Sequence, residues 1–65
     1  MPWNADFFPA SMKHLPPPVR EKAIDIANAL LDERMDEGKA IRIAIARAKD
    51  WARRHLPGYA EGADA

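Results

Sequence analysis

Apolar positions recur in three stretches of this chain, each bounded by proline, glycine or acidic residues, and in all three the spacing is helical. In the first, Phe8, Met12 and Leu15 stand at i, i+4 and i+7. That spacing lines one face of a short helix near residues 8–14, with Pro9 in the first turn, where its missing N–H has no intrahelical partner anyway. The run Leu15-Pro16-Pro17-Pro18 forces extended backbone and stops that helix. Pro17 or Pro18 can then open the next one at its first position. Over residues 18–35, Val19, Ala23, Ile24, Ile26, Ala27, Leu30, Leu31 and Met35 form a broad apolar arc, and Glu21, Asp25, Asn28 and Asp32 fall on the opposite, solvent arc. Over residues 37–56 the apolar arc is Ala40, Ile41, Ala44, Ile45, Ala48, Trp51, Ala52 and Leu56, with His55 inside it.

Met35-Asp36-Glu37-Gly38 separates the two long helices. Asp36 caps the second of them, and both carboxylates oppose its positive N-terminal dipole. The pattern predicts an all-α fold, a small three-helix domain in which a short N-terminal helix packs on an αα-hairpin. The core is expected to hold Leu15, Val19, Ile24, Ala27, Leu31, Ile41, Ile45, Ala48 and Trp51. A single dimerising helix over 18–56 is the alternative, because its two apolar arcs would be offset by only about 50°. Against it stand Gly38, which costs about 1 kcal/mol relative to Ala inside a helix, and an arc wider than a coiled-coil seam. Pro57 and Gly58 end the last helix. Residues 1–56 are thus one helical domain, and 57–65 are expected to form a polar, disordered tail.

The charge balance changes the picture of the helices. Ten Lys and Arg match ten Asp and Glu, so the formal net charge is zero. The polar arc of residues 37–56 nevertheless carries Lys39, Arg42, Arg47, Lys49, Arg53 and Arg54 against Asp50 alone, while the arc of residues 18–35 is acidic. A neutral total therefore conceals two oppositely charged faces. At 48% hydrophobic and 31% charged, the composition is that of a globular chain. Absence of cysteine removes disulfides and thiolate metal sites. No apolar run approaches the roughly 20 residues of a membrane span, and no leader-like segment opens the chain. A cytoplasmic protein that does not use the membrane is expected.

Candidate chemistry is sparse. His14 and His55 are the only imidazoles, and neither has a carboxylate cluster at metal-ligand spacing. His55 is expected to rim the core near Trp51, four residues before it, or to stabilise the negative end of the last helix. Asp32, Glu33, Asp36 and Glu37 cluster without the spacing of a calcium loop. Ser11 has no identifiable base or orienting partner, so the nucleophile, base and oxyanion roles are unfilled. No enzyme, no cofactor and no metal are expected.

The segments MPWNADFFPASMKHLPPPVREKAIDIANALLDE and EGKAIRIAIARAKDWA resemble the N-terminal region of YdaT-type bacterial proteins. A weaker similarity reaches ChaB-like proteins through Pro9, Ser11, Lys13, Leu15 and Pro16. The first resemblance implies a small stress-associated protein of uncharacterised role. The second implies a label as a cation-transport regulator, and neither implies a reaction. The longer relatives continue into further C-terminal sequence, and any function resident there does not carry over.

The functional expectation is a small non-enzymatic module for protein–protein contact, with an unknown partner or a second copy. Trp3, Phe7 and Phe8 offer more apolar area than a two-helix hairpin easily covers; these rings either pack or form an interaction surface. Ile43 projects into the cationic arc, so either the N-terminal aromatics wrap over it or it marks a contact patch. The alternative is nucleic-acid binding through Arg42, Arg47, Lys49, Arg53 and Arg54. That arc has no Asn, Gln, Ser or Thr to add base-edge contacts.

Overall fold

The computed structural model describes residues 3–59. Two helices, α1 (Pro17–Asp32) and α2 (Glu37–His55), pack together as a hairpin. The αα-hairpin is thus as predicted, and the continuous helix is not formed. The expected N-terminal helix is replaced by a single 3-10 turn, Ala10–Met12. Its cause lies in the flanking prolines. Pro9 holds an extended ψ of 141°, and Pro16 at ψ 149° disfavours helical backbone at Leu15. Too few residues remain between them to recover the cost of nucleating an α-helix. Met12 is still fully buried and Leu15 nearly so. The i, i+4, i+7 pattern thus located core residues while overstating the helix that carries them.

α1 opens with Pro17 and Pro18 in its first turn, where Arg20 N–H donates to the Pro16 carbonyl at 2.8 Å. It closes three residues before the expected position 35. Arg34 N–H donates to the Leu31 carbonyl (2.9 Å) and Met35 N–H to the Leu30 carbonyl (3.1 Å). This pair of bonds is a Schellman cap, and it places Arg34 in left-handed backbone at φ 67°. Gly38 lies within the first turn of α2, which starts at residue 37 as expected. There the Asp36 carboxylate accepts from Lys39 N–H at 3.1 Å, the cap predicted from the sequence.

The hairpin interface is built on alanine. Ala40, Ala44, Ala48 and Ala52 recur every four residues along α2 and are fully buried, whereas Ile41, Ile45 and Trp51, all expected in the core, are half-buried against its margin. Methyl-sized side chains at the contact let the two backbones approach closely, which leaves the larger neighbours to flank the seam. α1 answers with Val19, Ala23, Ala27 and Leu30, and Leu31 takes a marginal place instead of its predicted central one. Beyond α2, Leu56 to Tyr59 make a turn in which Tyr59 N–H donates to the Leu56 carbonyl and Gly58 takes φ 80°. That turn packs Tyr59 half-buried against the core. Of the disordered tail expected over 57–65, the first three residues form this turn, and residues 60–65 lie outside the described residues.

Candidate functional site

α1 is covered on two sides, and the second cover is the N-terminal segment. On the hairpin side, Lys22 Nζ lies 5.3 Å from the Trp51 ring centroid of α2. About 160° and 240° around the helix from Lys22, Arg20 and Asn28 meet the strap formed by residues 3–15. Arg20 places its guanidinium carbon 4.9 Å from the Phe8 ring centroid, a cation–π contact. Asn28 is 1% exposed, not on the solvent face where the period placed it. Trp3 N–H donates to Asn28 Oδ1 (3.3 Å), and Asn28 Nδ2 donates to the Trp3 carbonyl (3.0 Å). A side-chain amide carries the same donor and acceptor pair as a backbone unit. Asn28 therefore receives the strap as a neighbouring strand would, and satisfies groups that would otherwise be orphaned in the interior. Periodicity has no signal for this, because an Asn reads as polar whether or not a backbone lies against it.

The four candidate contact residues divide accordingly. Trp3 is 7% exposed and belongs to the core; Phe8 is half-buried against it. Phe7 is 66% exposed. The turn that presents it is well tied: Asn4 and Phe7 exchange backbone hydrogen bonds of 2.8 and 3.2 Å, and Asn4 Oδ1 accepts from Asp6 N–H (2.8 Å) and Phe7 N–H (2.9 Å). This is an Asx turn closed by a one-pair bridge. Ile43 is half-buried and is not among the side chains packed on the main core.

The candidate phosphate-binding cations are not equivalent. Asp50 pairs with Arg53 at 3.1 Å and with Arg54 at 3.2 Å. Arg42 and Arg47 are exposed and make no ion pair among the described residues, but they sit about 140° apart around α2. Lys49 is half-buried. The five side chains therefore do not converge on one strip of backbone phosphates.

His55 rests its ring 5.9 Å from that of Trp51, as the i, i+4 spacing predicts. His14 and Ser11 are exposed. Among the described residues no three metal-ligating side chains come together, and no helix is long and apolar enough to cross a membrane.

These features define a small helical hairpin with a docked N-terminal strap, a class distinguished by how its chain is tied down. Over 52 residues, 80% of its length, the chain is 60% identical to the uncharacterized protein YdaT of Bacillus subtilis (strain 168). The YdaT-type relationship implied by the sequence therefore holds across most of the chain, which spans 35% of that relative's length. No family model matches the chain, and no solved structure does.

Proposed function

We propose that this chain is a non-enzymatic interaction module, acting in the cytoplasm, that engages a protein partner through the aromatic turn of its strap. One observation carries the reading: Phe7 is the large hydrophobic side chain left exposed among the described residues, and it stands on a turn ordered by its own hydrogen bonds. An aromatic anchor held in place before binding loses little conformational freedom when it docks. A role in stress physiology, suggested by the resemblance, belongs to this proposal. Nucleic-acid binding ranks second, because Asp50 already engages two of its five cations. The test is affinity capture from stressed and unstressed native cells with the parent chain and with Phe7→Ser. The reading expects partners captured by the parent and lost with Phe7→Ser at unchanged helicity. Identical capture by both chains contradicts it.

A further inference from the structure

The interior contacts and the exposed turn leave the charge of the two helices unexplained. On α1, Glu21, Asp25 and Asp32 are exposed and lie about half a turn of the helix away from the residues that face α2. On α2, Lys39, Arg42 and Arg47 are exposed outside the alanine seam, spread over about 140° of the helix surface. None of these six side chains makes an ion pair among the described residues, so neither helix neutralises the other. The hairpin has one acidic long edge and one basic long edge. Beside the acidic edge is the small Ala29; within the basic one lie Ala46 and the half-buried Ile43, which the core does not use.

We propose that the basic edge of α2 is a docking surface for the acidic edge of α1 in a second copy of the chain. This inference rests on the interaction-module reading and names a partner for a different surface of it. Charge complementarity selects the occupant: each edge repels its own kind and attracts the other, with Ile43 set against small side chains and not against charge. Because the two edges lie on opposite sides of the hairpin, pairing one edge leaves the other free. The contact is therefore heterologous and extends into open head-to-tail chains instead of closing as a dimer. Exposed pairs contribute little singly, so the association is weak and screened by salt.

Three chains of equal net charge test this. In the first, the parent, the weight-average mass from sedimentation equilibrium rises continuously with concentration at about 0.01 M salt, where screening reaches only over roughly 30 Å, and returns to monomer near 1 M. In the second, Glu21→Gln, Asp25→Asn, Asp32→Asn, Lys39→Gln, Arg42→Gln and Arg47→Gln erase both edges, and the chain stays monomeric. In the third, the acidic three become Lys and the basic three become Glu; the edges exchange sign and association returns. Circular dichroism checks that all three fold. A parent that stays monomeric at low salt overturns the proposal, as does a mass that saturates at twice the monomer or an exchanged chain that fails to associate. Phe7→Ser leaves this association unchanged, so failure here is distinct from failure of the aromatic turn as a partner site.

Discussion

Asn28 holds its amide in the interior and turns both of its polar ends to the backbone of Trp3. Replacing it with Leu removes a donor and an acceptor at once and strands the Trp3 N–H and carbonyl. Asn28→Leu is therefore expected to cost about 1–3 kcal/mol, the penalty for unsatisfied buried groups. Urea unfolding followed by Trp3 fluorescence in a Trp51→Phe background measures it. Arg34 presents the reverse case, a residue whose side chain is exposed and whose backbone is costly. Left-handed backbone costs an L-residue roughly 1–2 kcal/mol, and glycine escapes this while adding some unfolded-state entropy. Arg34→Gly should raise stability by about 0.5–1 kcal/mol, read as a higher urea midpoint at constant slope. Neither residue was legible in the sequence, and the reasons differ. Asn28 is polar and its partner lies 25 residues away, outside any helical window. Arg34 occupies a position that glycine usually marks, so no residue type in the sequence signals the end of α1 there.

The two long helices were legible because their amphipathic period runs over many turns, so that an error of three residues at one end left the element intact. Which apolar residues reach the centre was less legible. Side-chain size suggests that Ile41, Ile45 and Trp51 bury best, but close helix approach reverses the order and gives the interior of α2 to alanine. Ala48→Leu should accordingly cost about 1–3 kcal/mol or more through overpacking, despite leucine's good helix propensity. Ile45→Ala should cost less than the 2–5 kcal/mol of a fully buried isoleucine, since its side chain is half-exposed. Parallel thermal melts of the two variants decide the order; an Ala48→Leu chain as stable as the parent would remove the close-packed seam from the account. The same logic separates Leu30, which is buried, from Leu31, which is marginal although the helical period points it to the core.

For the whole molecule, the accessible surface of 4362 Å² compares with about 10,600 Å² for an unfolded chain of this mass. Roughly three-fifths of the surface is buried, a small reserve, and the strap contributes Trp3, Met12 and Leu15 to it. The strap is thus part of the fold, while its turn carries the exposed ring. Trp3→Ala should cost about 3–5 kcal/mol, enough to unfold a domain of marginal stability, whereas Phe7→Ser should leave the melting temperature nearly unchanged. Paired calorimetric scans check both. The central claim is that Asn28 docks the strap on α1, and nuclear Overhauser contacts between the Asn28 side-chain amide and the Trp3 backbone test it most directly. The account predicts those cross-peaks, together with slow exchange of the Trp3 amide proton. Random-coil shifts and rapid exchange over residues 3–8, with the hairpin otherwise folded, would contradict it.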